Sequence, residues 1–270
     1  MCELFALSAS APVDIKLSLA ELARHGGETG IHSDGWGVAY MEGRDARIIR
    51  DTGPAAHSPW IEFLQNTPLR SNMVVAHIRH ATRGAVALAN TQPFARELSG
   101  RMHVFAHNGN LAGIESHPPE GHRFQPIGDT DSELAFCRLL ERYAAHELAG
   151  ADQQKIFAEF ACEMRQLGPA NFILAANGRI LAHADRRTQR PGVIAPPGLW
   201  VLERTCAADP QGELAAAGVH LGADAALAVT LLASVPLTSE PWRPLPQGTI
   251  VALADGAIQE FIAPRDRDHC

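Results

Sequence analysis

The pattern of apolar and polar positions predicts mainly short strands in the first half of the chain. Runs rich in apolar and β-branched residues, bounded by turn residues, indicate strands over residues 2–8, 36–41, 47–50, 73–78 and 103–107. Two helices are expected between them. Asp14 is the predicted cap of a helix that ends at His25, and Ser58-Pro59 has the serine cap and first-turn proline of a second helix.

The second half begins with helices and returns to strands. Thr130 and Glu133 have capping-box spacing, which predicts a helix to about residue 149, and another helix is expected over 153–166. Asn177-Gly178 and Asp255-Gly256 mark hairpins. The Pro- and Gly-rich residues 186–218 predict loops around one strand near 200–202. Because helices and strands come in groups, we expect an α+β fold and one domain over residues 1–270.

Composition excludes several functional classes. The formal charge of −7 leaves no basic excess for phosphates, so no nucleic-acid partner is expected. No window reaches the ~18 uncharged apolar residues of a membrane span, and the acidic Glu3 and Lys16 do not fit a signal peptide. Five scattered cysteines without a CxxC pair predict free thiols and a cytoplasmic protein.

Cys2 is the first candidate for chemistry. Aminopeptidases remove an initiator methionine before a small residue, so Cys2 is expected to become the N-terminal residue. Its thiol would then lie beside an α-amine with a pKa of about 7.7–8.0, which suits a general base. A nucleophile that carries its own base needs no histidine. On position alone, Cys2 is better explained as a small apolar residue of a buried strand.

Three further clusters offer groups that recognise charge. Arg79 ends a predicted strand and has a fork shaped for one carboxylate. Asn108-Gly109 can aim a side-chain amide and a backbone N–H at one point, as an oxyanion hole requires. Asp131 lies in the first turn of a helix and can hold an ammonium group. Taken singly, the clusters are also explained as a surface turn, an ordinary turn and a helix cap.

Taken together, the four clusters match one substrate. A thiol, its base, an oxyanion hole, a carboxylate clamp and an ammonium clamp fit an amide that carries an α-carboxylate and an α-ammonium, which is glutamine. His77 and His80 lie three apart, on opposite faces of a strand, so they are poor candidates for a shared metal. We expect no metal and no cofactor.

The sequence resembles the class II glutamine amidotransferases, which are N-terminal-nucleophile hydrolases, and in particular their stand-alone bacterial YafJ-like branch. Four motifs in family order and at similar spacing carry the resemblance: Cys2, Arg79-x-x-Thr82-x-Gly84, Asn108-Gly109 and Thr130-Asp131-x-Glu133. The opening Met1-Cys2-Glu3-Leu4 and Ser33-Asp34-Gly35-Trp36-Gly37 add to it. Gln92 departs from the family, which often has histidine at that position.

The resemblance implies a four-layer α/β/β/α sandwich of two antiparallel sheets. It also implies that Cys2 forms a γ-glutamyl thioester and releases ammonia for an unidentified acceptor, on a partner enzyme or elsewhere. Asn108 and Gly109 would form the oxyanion hole, Arg79 and Thr82 would bind the substrate carboxylate, and Asp131 its ammonium.

Two alternatives stay open at this point. One is a γ-glutamyl amidohydrolase that acts on a larger conjugate, for which the His- and Pro-rich loop 113–126 would shape the pocket. The other is a sensor that binds an amino acid without turning it over. A penicillin-type acylase also uses an N-terminal cysteine, but it needs no paired carboxylate and ammonium clamps.

Overall fold

The structure is a computed structural model, and it describes residues 2–30, 32–67, 69–116, 121–147, 152–206 and 227–262. Besides three short 3-10 helices, these residues form four α-helices and fifteen strands. In chain order they are β1 (Glu3–Val13), α1 (Lys16–His25), β2 (Trp36–Glu42), β3 (Asp45–Asp51), α2 (Pro59–Asn66), β4 (Ser71–Ile78), β5 (Phe94–Leu98), β6 (Arg101–Gly109), α3 (Asp131–Glu147), α4 (Gln153–Leu167), β7 (Ala170–Ala176), β8 (Arg179–Ala184), β9 (Arg187–Arg190), β10 (Val193–Ala195), β11 (Trp200–Cys206), β12 (Leu227–Ala233), β13 (Arg243–Pro244), β14 (Thr249–Ala254) and β15 (Ala257–Ile262).

Two antiparallel sheets contain most of these strands. The first sheet has the order β13-β11-β12-β1-β4-β2-β3, and the second has the order β15-β14-β8-β7-β6-β5. Strands β9 and β10 form a separate two-stranded ribbon. Since β1 and β12 are neighbours in the first sheet, residues from the two ends of the chain pair directly, with Phe5 opposite Ala233.

Alternating side chains of β1 enter two different cores. Phe5 and Leu7 pack on the outer face of the first sheet, in a core that includes Leu22 of α1 and Ile61 of α2. Leu4 belongs to the core between the two sheets. Because β1 is buried on both faces, its sequence is an almost continuous apolar run.

A third core lies on the far side of the second sheet. Phe105 of β6 and Phe172 of β7 pack there against Phe136 of α3 and Phe160 of α4. Ring centroids of Phe105 and Phe136 lie 5.1 Å apart in a stacked arrangement. Three cores separate four layers, so the predicted α/β/β/α sandwich is confirmed.

Most predicted elements are present. The Asn177-Gly178 hairpin joins β7 and β8, and both turn residues have positive φ (54° and 74°), as a type I′ turn requires. The apolar run that includes residues 227–233 forms β12, an interior strand of the first sheet.

Three expectations were wrong. Asp14 does not cap α1, because the sheet continues through it and the helix follows Ile15. The polar, Pro- and Gly-flanked residues 187–195 form the ribbon β9–β10 instead of a loop, since its two strands pair with each other outside the main sheets. The prediction of free thiols was wrong for Cys162, which is disulfide-bonded, whereas Cys2 and Cys137 are free thiols.

Several strand ends meet at one end of the sandwich. The start of β1 pairs with the end of β4, with Glu3 opposite Ile78. The end of β6 faces them from the second sheet, where the side chain of Asn108 contacts Cys2. Within the described ranges, no helix has the length and apolarity needed to cross a membrane.

Candidate active site

Cys2 precedes β1 and is partly exposed. Its sulfur accepts a hydrogen bond from the backbone N–H of His80 (3.3 Å) and lies 3.4 Å from the carbonyl oxygen of the same residue. Burial raises the pKa of the Cys2 thiol above its ordinary value, although the His80 hydrogen bond and the charge of Arg79 oppose the rise. The thiol is therefore neutral near pH 7 and needs a base before it can attack.

Arg79 follows β4 and is 3% exposed. Its guanidinium donates to the backbone carbonyls of Arg83 (3.0 Å), Gly84 (3.3 Å) and Asp34 (3.4 Å), so the turn after β4 folds around it. A guanidinium has five N–H donors, and these three bonds leave donors for a carboxylate. Thr82 lies in the same turn and is exposed.

Asn108 is fully buried at the end of β6. Its Nδ2 donates to the carbonyl oxygen of Cys2 and to Oγ of Ser234 (3.1 Å). A carbonyl only accepts hydrogen bonds, so this contact fixes which end of the amide faces Cys2. The neighbouring Gly109 has no room for a side chain, since a Cβ there would lie 1.8 Å from the carbonyl oxygen of Pro169.

Asp131 is the first residue of α3 and is buried. Its carboxylate accepts hydrogen bonds from the backbone N–H groups of Leu111 (2.7 Å) and Ser132 (2.9 Å), and so joins the segment after β6 to the helix. The capping box is half formed. Thr130 Oγ1 accepts from the N–H of Glu133 (3.3 Å), but the Glu133 carboxylate binds Arg96 and the N–H of Gly128 instead of reaching back.

Opposite charges act on the nucleophile. The positive charge of Arg79 lowers the pKa of Cys2, and the negative charge of Asp131 raises it. Both groups therefore lie within electrostatic range of the sulfur, on different elements. This arrangement suits a ligand that carries one negative and one positive group.

A second group of charged residues lies behind Cys2 and was not selected from the sequence. Glu3 is buried, its Oε2 lies 2.6 Å from Nδ1 of His25, and its Oε1 lies 4.0 Å from Arg187. Arg187 also donates to the carbonyl oxygen of Ser234 (2.8 Å). Glu3 belongs to the opening Met1-Cys2-Glu3-Leu4, but His25 and Arg187 lie far from it in the chain, so the sequence offered no pattern that joins the three.

His80 and Asp34 stabilise the turn beside Cys2. Nδ1 of His80 lies 3.5 Å from Oδ2 of Asp34, and the same oxygen accepts from the N–H of Ala81 (2.8 Å). His77, in contrast, is fully buried, and burial lowers its pKa to about 3, so it stays neutral. Among the residues that the structure describes, no three His, Cys, Asp or Glu side chains are placed to hold a metal ion.

Gln92 occupies the position at which the resemblance expects histidine. Its side-chain amide accepts from the N–H of His107 (2.6 Å) and donates to the carbonyl of the same residue (3.2 Å). The side chain therefore binds the strand end next to Asn108. Of the loop 113–126, residues 117–120 lie outside the described residues, so its predicted effect on the pocket stays a prediction.

The comparisons with known proteins agree with this geometry. The family model of the class II glutamine amidotransferases matches residues 1–269. The chain belongs to the class II glutamine amidotransferases. It is therefore an enzyme of glutamine amide hydrolysis or transfer with an N-terminal nucleophile, and glutamine is its substrate.

Relatives in other organisms match almost the whole amidotransferase chain. YafJ of Escherichia coli (strain K12), which carries a provisional glutamine amidotransferase name, is 40% identical over 253 residues, covering 92% of this chain and 95% of YafJ. A Haemophilus influenzae protein with a similar provisional name is 35% identical over 260 residues, covering 95% and 85% of the two chains.

Solved structures show the same fold. A predicted glutamine amidotransferase from Pseudomonas aeruginosa superposes with a TM-score of 0.66 at 28% identity, covering 96% of this chain and all of that one. The glutamine phosphoribosylpyrophosphate amidotransferase of Bacillus subtilis superposes with a TM-score of 0.62 at 15% identity, with 96% of this chain covering 48% of that one. The second likeness concerns the fold alone.

Proposed function

We propose that this amidotransferase hydrolyses the side-chain amide of glutamine through a γ-glutamyl thioester on Cys2. The contact of the Asn108 side chain with the Cys2 residue carries the proposal, because it sets an amide donor beside the candidate nucleophile. Family membership supplies glutamine as the substrate.

The first step is activation of the thiol. Removal of Met1 frees the α-amine of Cys2, whose pKa of about 7.7–8.0 allows it to take the thiol proton near neutral pH. A base is needed here, since burial keeps the thiol protonated. The thiolate then attacks the amide carbon of glutamine.

The second step is stabilisation of the tetrahedral intermediate. The amide oxygen becomes an oxyanion, and in this proposal it accepts from the N–H of Gly109 and from the Nδ2 hydrogen of Asn108 that contacts the Cys2 carbonyl before substrate binds. That hydrogen leaves the carbonyl when the oxyanion forms. The α-amine returns its proton to the leaving nitrogen, and the C–N bond breaks to release ammonia. Water then attacks the thioester, which yields glutamate and restores the Cys2 thiol.

Two charged groups orient the glutamine. Arg79, with Thr82 beside it, binds the α-carboxylate, and Asp131 binds the α-ammonium. The opposite effects of Arg79 and Asp131 on the pKa of Cys2 support this assignment. Both side chains are also held by backbone hydrogen bonds, so the two clamps are ordered before substrate arrives.

Ammonia passes to an acceptor on a separate partner enzyme, as the resemblance to the stand-alone branch suggests. In the absence of that partner the reaction is a simple glutaminase. The test is release of glutamate and ammonia from L-glutamine by the processed protein, with L-asparagine as the matched control. Equal rates on the two amides, or no release from glutamine, would reject the proposal.

A further inference from the structure

A buried hydroxyl connects the candidate nucleophile strand to the candidate oxyanion donor. Oγ of Ser234 accepts one hydrogen bond from the backbone N–H of Leu4 (3.0 Å) and another from Nδ2 of Asn108 (3.1 Å). Leu4 belongs to the first sheet and Asn108 to the second. Ser234 therefore joins the two sheets, and its bond to the first sheet is at Leu4, two residues after Cys2.

Ser234 is itself held on several sides. Its N–H donates to the carbonyl of Leu4 (3.0 Å), which extends the ladder between β12 and β1 by one residue. Its carbonyl accepts from Nη1 of Arg187 (2.8 Å). The side chain is 1% exposed, so water does not compete for these bonds. A hydroxyl fixed in this way has little freedom to move.

The amide of Asn108 has two N–H donors, and each contacts a different group. One donates to Ser234 and the other to the carbonyl of Cys2. The bond to Ser234 sets the rotation of the amide about its side chain, and that rotation aims the second donor at the nucleophile's own residue. Without the hydroxyl, only the contact with the Cys2 carbonyl holds the Nδ2 end of the amide.

We infer that Ser234 is a positioning residue that holds the Asn108 amide in the orientation required of an oxyanion donor. This inference rests on the proposed function. Ser234 touches no reacting atom; its hydroxyl acts on the oxyanion donor through Asn108, and its bond to the N–H of Leu4 holds the hydroxyl in place. Arg187 assists, because its Nη1 donates to the carbonyl of Ser234. Its Nη2 lies 4.0 Å from Oε1 of Glu3, the residue after Cys2.

The test compares Ser234→Ala with Thr230→Val in the processed enzyme. Thr230 has a fully buried hydroxyl in β12, the strand that Ser234 follows, and it donates to the carbonyl of Gly256 (2.8 Å), away from Cys2. Direct loss of an oxyanion donor costs about 100–1,000-fold in kcat, so its misorientation in Ser234→Ala should cost about 10-fold or more. Thr230→Val should keep the wild-type kcat.

Three readouts separate positioning from general damage. The KM for glutamine and the affinity for the product L-glutamate should stay within about twofold in Ser234→Ala, because ground-state binding forms no oxyanion. Ser234→Cys, which keeps a weak acceptor, should recover part of the lost kcat and serves if the alanine variant folds poorly. The Asn108→Ala/Ser234→Ala double variant should be no slower than Asn108→Ala.

The outcomes are distinguishable from failure of the proposed function. A wild-type protein that releases no ammonia from glutamine overturns the proposed function itself. An active wild type with an unchanged Ser234→Ala kcat, with additive effects in the double variant, or with glutamate affinity lost in parallel with kcat, overturns only the role of Ser234.

Discussion

Nδ1 of His25 lies 2.6 Å from Oε2 of Glu3, so a helix residue is bonded to the strand residue that follows Cys2. The Glu3 bond raises the pKa of His25 above its ordinary value of 6.5. Burial opposes ionisation of Glu3, but the hydrogen bond and charge of His25 outweigh it, and the pKa of Glu3 falls below 4.5. Both side chains are charged at pH values between the lowered pKa of Glu3 and the raised pKa of His25.

This pair predicts a pH-dependent stability. The contribution of His25 is complete below its unfolded pKa of 6.5 and is lost as the pH rises through its raised folded pKa. That of Glu3 is complete above 4.5 and is lost as the pH falls through its lowered pKa. The pair therefore stabilises the fold most between these two pH values.

His25→Gln should accordingly cost more stability at about pH 5.5 than at about pH 9, with a loss of about 1.5 kcal/mol at the lower pH for a charged hydrogen bond. Urea unfolding at the two pH values measures the difference. His57→Gln, at an exposed histidine, is the control. An equal loss at both pH values would show that the charge of His25 contributes nothing.

Cys2→Ala should abolish glutamine turnover and leave binding nearly intact, since the sulfur takes part only in the chemical step. Calorimetric titration with L-glutamine measures the retained affinity, and ammonia release measures the lost rate. Cys137→Ala is the matched control, because Cys137 is a free thiol buried in the helix α3 core. Residual turnover by Cys2→Ala at the wild-type rate would contradict the mechanism.

Arg79→Lys should raise the KM for glutamine about 10-fold or more and change kcat less. A lysine ammonium keeps the charge but loses the planar fork that binds a carboxylate at two points. Steady-state kinetics separates the two constants. Arg83→Lys is the control in the same turn, since Arg83 is exposed and pairs with Glu115 (2.7 Å). Similar changes in both variants would argue against a carboxylate clamp at Arg79.

Gly109→Ala should inactivate and destabilise the enzyme. The new Cβ would lie 1.8 Å from the Pro169 carbonyl and 2.5 Å from Nε2 of His107, so the end of β6 has to shift. Such overpacking costs about 1–3 kcal/mol or more. Thermal unfolding and ammonia release measure the two effects. Gly53→Ala, where a Cβ meets nothing within 4 Å, should behave like wild type, and a fully active Gly109→Ala would refute the close contact.

Local patterns predicted an α+β fold and many of its elements, and the resemblance to the class II glutamine amidotransferases supplied the order of the layers. Paired turn residues such as Asn177-Gly178 placed hairpins, and apolar runs placed the central strands. The predicted helix cap at Asp14 was wrong because a residue type that caps helices can also lie at the end of a strand. The preceding Val13 pairs with Ser71, a residue distant in the chain, and a local pattern does not reveal such pairing.

The sequence also pointed to Asn108, Arg79 and Asp131, which act on Cys2 in the structure, but not to the residues that hold these side chains in place. Asn108 and Asp131 stood out because their residue types fit the chemistry. Arg187 contacts both Glu3 and Ser234, which lie far from it in the chain, and each of the three is an ordinary residue type in its own segment. Pairing of β1 with β12 and the position of the β9–β10 ribbon bring them together.

The most direct test of the central claim is intact mass of the purified protein before and after reaction with the glutamine analogue 6-diazo-5-oxonorleucine. We expect loss of Met1 and one adduct, which peptide mapping assigns to Cys2 while the buried Cys137 stays unmodified. Excess L-glutamine should slow the labelling. Loss of Met1 with no adduct, or an adduct on another residue, would contradict a glutamine-directed nucleophile at Cys2.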